Sequence, residues 1–195
     1  MLSNSDKAVK IREGQSLKTD SLETFIRNAM ELPEARMEVL QFPSGYSNLT
    51  YLLKFGKKEL VLRKPPQEVK IKSGHDMGRE FRILSGLHPI YNKVPQPFLF
   101  SDELSIIGTP FYIMERMHGV IFRGHTPKDQ LPDLNQMRKL SEAFVSTLVE
   151  IHSFNYNAAG LENLGKPDGY VKRQIEGWTK RYIKAKTDEF KPLEK

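Results

Sequence analysis

Three short apolar runs, MEVLQF, LTYLLKF and ELVLRK, follow one another within residues 37–64, separated only by PSGYSN and GKK. Runs of this length, rich in branched and aromatic residues and bounded by turn formers, are written for strands. The chain reverses at Pro43 to Asn48 and again near Gly56. Pro65-Pro66 then stops the third run, because neither proline can donate to a ladder. An antiparallel meander is the expected result.

The flanking segments extend that frame. Residues 1–20 are polar and read as a flexible lead-in, after which Leu22, Phe25, Ile26 and Ala29 form one helical stripe with Asp20 or Ser21 as cap. GHDMGREFRILSGLHP has helical spacing until Gly86 and Pro89 interrupt it. Within residues 94–117, VPQPFLF and IIGTPFYIMERM predict two further strands, with a polar turn at SDE between them and Gly108-Thr109-Pro110 leading into the second. A helix over residues 135–153 places Met137, Leu140, Phe144, Leu148 and Ile151 at helical intervals. Ile175, Trp178 and Tyr182 share a later helical face, suited to packing or to contact with a substrate. The predicted class is α+β: a five-stranded antiparallel sheet with one helix, then a mostly helical region.

Composition closes several alternatives. The 195 residues carry 30 Lys and Arg against 24 Asp and Glu, and 38% hydrophobic residues can fill a core. With no cysteine there is no disulfide scaffold, thiol nucleophile or thiolate metal site, and a reducing compartment is compatible. The uncharged run LSIIGTPFYIM has eleven residues, against about 20 for a spanning helix. The first residues lack an apolar leader and include Asp6 and Glu13. An intracellular soluble chain is therefore expected, its compartment open. Interspersed charge without a zinc, helix-turn-helix or RNA-reading motif argues against nucleic acid as a partner. The stretch 172–195 supplies much of the net charge and reads as weakly anchored.

Glu80 is the most informative residue. On the helix through Met77, Phe81, Leu84 and Leu87 it lies in the apolar sector, whereas Arg79 and Arg82 point away. An inward carboxylate needs a partner, and Arg63 in ELVLRK offers a fixed donor fork. Such a pair either poises a phosphate-binding cation or only stabilises the fold. In PSGYSN, the amides around Ser44, Gly45, Tyr46, Ser47 and Asn48 can face phosphate oxygens, or can form an ordinary hairpin turn. Met114, Glu115 and Met117 are candidate wall or backbone contacts for a ring, although a linker has the same composition and Glu115 can simply be exposed. Among the nearby basic residues, Lys54, Lys57, Lys58, Lys64, Lys70 and Lys72 read mostly as solvated. The five histidines form no ligand cluster, and Asp129 and Asp133 suit a helix cap better than magnesium.

FPSGYSNLTYLL, LVLRKPP, GREFRILSGL, VPQPFLF, IGTPFYIMERMHG and LVEIHSF together resemble the aminoglycoside and choline kinase-like phosphotransferases, especially the kinase-like domain attached to some acyl-CoA dehydrogenases. The resemblance implies a kinase-like N-lobe and hinge over residues 21–117 and the start of a C-lobe over 118–195. It makes Ser44 to Asn48 the nucleotide-covering loop, puts Arg63 where protein kinases use a phosphate-binding lysine, makes Glu80 its helix partner and Met114 to Met117 the hinge. The loop departs from the family pattern at Ser44, which precedes Gly45 in place of a second glycine, and at Tyr46. No HGD-type catalytic or DWE-type metal-binding segment occurs, and Asp168 and Asp188 have no nearby asparagine.

By the same resemblance, ATP and Mg2+ are the cofactors of the complete parent and a small-molecule hydroxyl is its acceptor. This chain is expected to be the N-terminal portion, truncated before the catalytic and metal-binding segments. It should be inactive alone and bind nucleotide weakly or not at all, with the missing C-lobe or a second chain as partner. The alternative is a noncatalytic nucleotide-binding or protein-interaction module.

Overall fold

The computed structural model describes residues 7–43, 47–66, 75–122, 124 and 126–188, which form two compact units divided between Leu161 and Glu162. In the first unit β1 (Met37–Gln41), β2 (Leu49–Phe55), β3 (Lys58–Lys64), β4 (Pro97–Ser101) and β5 (Phe111–Glu115) make a sheet in the order β1-β2-β3-β5-β4, every pair antiparallel. All five lie where the sequence predicts strands.

The register sorts side chains onto two faces, because successive residues of a strand point to opposite sides. Tyr51, Leu53, Leu60, Leu62, Phe111 and Ile113 share one face and are fully buried in the core. Helices α1 (Thr19–Ala29) and α3 (Leu104–Ile107) cover that face through Leu22, Ile26, Ile106 and Ile107. Burial of each such side chain contributes about 1.5–3 kcal/mol. The opposite face carries Thr50, Leu52, Val61, Arg63, Tyr112 and Met114. There α2 (Met77–Leu87) packs against β4 and β5, with Phe81 stacked on Phe100 at 5.8 Å between ring centroids.

Three local expectations are corrected. LSII of Leu104–Ile107 is a short helix, not part of a strand, closed by Gly108 in the left-handed region at φ 84. Four residues, three of them apolar, do not distinguish strand from helix by periodicity, and the following glycine supplies the αL stop. Neither Asp20 nor Ser21 caps α1: the N-cap position is Lys18, without a side-chain cap, and the Ser21 hydroxyl donates instead to the Ile106 carbonyl at 2.7 Å. The lead-in, expected to be flexible, lies along the sheet edge from residue 7. Val9 and Gln41 exchange two backbone hydrogen bonds of 2.8 Å, and the Tyr51 hydroxyl donates to the Gln15 carbonyl at 2.7 Å. The cause is Gln41, a polar side chain buried on the core face. Its amide donates to Gln15 Oε1 and its carbonyl accepts the Arg12 N–H, so the lead-in satisfies it.

Helix α4 (Leu134–His152) begins with a capping box in which Asp133 and Gln136 satisfy each other's backbone N–H groups. Lys93 meets Glu150 at 2.6 Å and Tyr91 packs edge-on against Phe154 at 4.9 Å, which ties the segment after α2 to the end of α4. The stripe Met137, Leu140, Phe144, Leu148 and Ile151 is nonetheless exposed, Phe144 to 72%. In the second unit α5 (Tyr170–Ala185) is fastened at its start by Arg173, whose guanidinium donates to the Lys166 and Asp168 carbonyls. Ile175 and Trp178 are exposed, with Arg181 over the indole at 4.7 Å. Among the described residues no helix is long and apolar enough to cross a membrane.

Candidate functional site

Glu80 enters the site because α2 starts where it does. Asp76 caps the helix, its carboxylate accepting the Arg79 N–H at 2.8 Å, so Glu80 falls in the first turn, where the helix dipole favours a negative charge. Arg63 and Tyr112 are cross-strand partners on β3 and β5 and share the face that α2 covers. Phe81 lies against the Tyr112 ring at 6.3 Å, which sets the height of α2 above the sheet.

The carboxylate is held from three sides. Oε1 accepts from Asn48 Nδ2 at 2.9 Å, and Oε2 accepts from the Tyr112 hydroxyl at 2.9 Å. Arg63 Nε stands 3.4 Å from Oε2, close enough for an ion pair but without hydrogen-bond geometry. His75 Nδ1 is 2.6 Å from Asn48 Oδ1; since the Asn48 amide donates to Glu80, the imidazole is the donor to its carbonyl. Two neutral donors thus occupy the oxygens of Glu80, while Arg63 is attracted by the charge without spending its guanidinium hydrogens on it. The cation is positioned and, among the described residues, no hydrogen-bond acceptor takes its terminal donors, which leaves them for an anion. Burial, above all, and then Glu80 hold the Tyr112 hydroxyl above the ordinary phenol range against the opposing pull of Arg63, so it remains a donor at neutral pH.

Of the residues singled out in the sequence, the structure brings together Asn48, Arg63 and Glu80. Ser44, Gly45 and Tyr46 lie outside the described residues, as do Lys70 and Lys72. Ser47 is exposed, adjoining that segment. Met114 is half-buried on the face of Arg63, and Met117 is exposed. Glu115 is engaged, not free: its N–H donates to the Gln96 carbonyl at 2.8 Å and its carboxylate accepts the Gln96 N–H at 3.1 Å. Sequence reasoning missed Tyr112 and His75 as members of the network. Tyr112 was within reach of it, since the alternation that buries Phe111 and Ile113 on one face turns Tyr112 to the other. Among the described residues no group of three or more His, Asp or Glu side chains converges on a metal site.

Residues 38–195 match the phosphotransferase enzyme family. The chain belongs to that family. The phosphotransferase domain is 35% identical over 188 residues to acyl-CoA dehydrogenase family member 10 of Mus musculus, and 38% identical over 154 residues to acyl-CoA dehydrogenase family member 11 of Homo sapiens. These alignments cover 95% and 78% of the chain but only 17% and 19% of the relatives. A solved structure described as a "putative aminoglycoside phosphotransferase" from Ralstonia eutropha superposes with a TM-score of 0.72 at 28% identity, over 89% of this chain and 50% of that one. The five-stranded sheet with its helix is therefore the N-lobe of a kinase-like fold followed by a helical region, related to the kinase domains associated with acyl-CoA dehydrogenases.

Proposed function

We propose that this phosphotransferase domain is the nucleotide-holding portion of an ATP-dependent enzyme that phosphorylates a hydroxyl of a small molecule. The observation that carries the reading is the Glu80 carboxylate, hydrogen-bonded by Asn48 and Tyr112 and paired with Arg63 on the face that α2 only partly covers. Phosphoryl transfer asks the protein for positioning and charge compensation, and a braced guanidinium supplies both to the nucleotide phosphates. In this reading residues 21–117 are the N-lobe and hinge, and Ser44 to Asn48 cover the phosphates. Met114, Glu115 and Met117 border the base, and residues 118–195 begin the C-lobe. The aspartate that orients the acceptor and the groups that bind Mg2+ belong to HGD-type and DWE-type segments that this sequence does not contain.

The expected behaviour of residues 1–195 is weak, saturable ATP binding without turnover. Titration calorimetry checks it: Arg63→Ala should weaken ATP at least about tenfold, equivalent to about 1.4 kcal/mol. Robust Mg2+-dependent product formation by this chain, abolished in the Arg63 variant, would overturn the proposal that it is inactive alone. A second reading, a noncatalytic interaction module, is favoured by one observation, the exposed apolar residues of α4 and of α5. Tight partner binding unchanged by Arg63→Ala would support it.

A further inference from the structure

The face that carries Arg63 holds a second arginine network, at its far corner. Phe42 donates its N–H to the Thr50 carbonyl at 2.9 Å, which continues the β1–β2 ladder and sets Phe42 beside Thr50, opposite Arg63. Glu59 lies opposite Lys54, at the other end of β3. The two positions differ by four residues along the strands and two strands across them, about 13 Å by about 10 Å. One side chain touches both. Arg116, the first residue beyond β5, places Nη1 2.6 Å from Glu59 Oε2 and its guanidinium carbon 5.6 Å from the centroid of the Phe42 ring.

A side chain that meets both corners runs beneath the sheet, and Arg116 is accordingly only 18% exposed. The floor above it is Leu52 and Val61, which are 3% and 6% exposed although α2 packs on the other half of this face, against β4 and β5. An apolar floor, an aromatic ring at one edge and the chain leaving β5 at the other make a slot for a flat ring. A guanidinium is itself flat, stacks on an aromatic face and is satisfied here by a carboxylate.

We infer that Arg116 is a gate. It fills the place of the nucleobase, paired with Glu59 and stacked on Phe42, and a base enters only when the Arg116–Glu59 pair opens. This inference rests on the nucleotide reading of the same face and adds to it the side chain that limits affinity. Phe42 then has two successive partners, the guanidinium when the slot is closed and the base when it is filled. Glu59 is the latch, and His118 Nε2 stands 3.5 Å from the same carboxylate oxygen.

The test is equilibrium binding of ribose-labelled fluorescent ATP to residues 1–195, with unlabelled adenosine as competitor to show that the base is what binds. Arg116→Gln keeps the length and loses the charge; it should tighten binding about fivefold or more. Glu59→Gln, which releases the latch and leaves Arg116 in place, should move affinity the same way by a smaller factor. Phe42→Ala added to Arg116→Gln should reverse the gain. Thermal unfolding of each variant identifies any that fails to fold, and the Arg116 and Glu59 variants then serve for one another. If Arg116→Gln and Glu59→Gln bind no tighter than the parent while Arg63→Ala still weakens binding, the gate is wrong and the nucleotide site stands. If Arg63→Ala changes nothing, or no folded variant binds the probe, the nucleotide reading falls and the gate with it.

Discussion

Glu80 shows how much of the site depends on single donors. A carboxylate hydrogen-bonded by one amide and one phenol and ion-paired with one guanidinium loses a different support in each variant, and a hydrogen bond to a charged group contributes about 1.5–3 kcal/mol. Tyr112→Phe should therefore lower stability to urea by about 2 kcal/mol, and Asn48→Ala by a similar amount, with His75 then losing its acceptor. Tyr51 adds a pH dependence. Burial pushes its hydroxyl up to about 12 from an ordinary value of 10.0, and Tyr112 is raised as well. A group whose pKa is higher folded than unfolded contributes stability that is complete below its unfolded value and is lost as pH rises through the folded one. Unfolding midpoints should thus fall from pH 10 upward, and Tyr51→Phe should flatten that fall; a decline equally steep in the variant would refute the assignment. Lys64 is 2% exposed, has no ion-pair partner among the described residues, and is pushed below the ordinary lysine range by burial. Its sign is opposite: the penalty of the buried ammonium is present at neutral pH and relieved as pH rises toward 10.5. Lys64→Met should raise the melting temperature at pH 7.

At the scale of elements, α2 is the part whose placement decides the site, since it presents Glu80 from its first turn while its far end abuts another segment. A Cβ built on Gly86 would stand 2.5 Å from the Ala159 carbonyl oxygen and 2.6 Å from a Leu161 methyl. Alanine is the better helix former by about 1 kcal/mol, yet a backbone carbonyl cannot step aside as a flexible side chain can. Gly86→Ala should therefore destabilise the domain, checked by its melting temperature, and a rise would show that the 159–161 segment yields. The lead-in is a second structural element that the sequence does not announce. It has little apolar patterning, but it carries the partners of Gln41 and Tyr51. Deleting residues 1–18 should cost about 2–4 kcal/mol, because it leaves buried polar groups unpaired in addition to removing contacts. Unchanged urea unfolding after that deletion would return the lead-in to the flexible role its composition suggests.

Over the whole molecule, the strands and main helices were legible because their signals are local. Short apolar runs bounded by turn formers write β1 to β3, Pro65-Pro66 ends them, and helical spacing writes α2 and α4. Glu80 was legible for the same reason, as a charge out of place on an apolar helical face. The exposed stripes of α4 and α5 also follow from periodicity, but their exposure does not, since an amphipathic pattern says which face needs cover and not whether cover is present. Trp178, 62% exposed and the only tryptophan of the chain, reports on this directly: its emission should be red and readily quenched by iodide in the isolated chain. What residue order determined by itself was the kind of each element and which face of it is apolar, through preferences acting over two to four neighbours. Tertiary structure alone decided that Asn48 and Tyr112, each 32 residues from Glu80, hold its carboxylate, that Gln15 serves Gln41, and that Arg116 crosses beneath the sheet to Phe42. Those contacts exist because buried polar groups must find partners wherever strand register and helix packing happen to bring them, at separations no local pattern encodes.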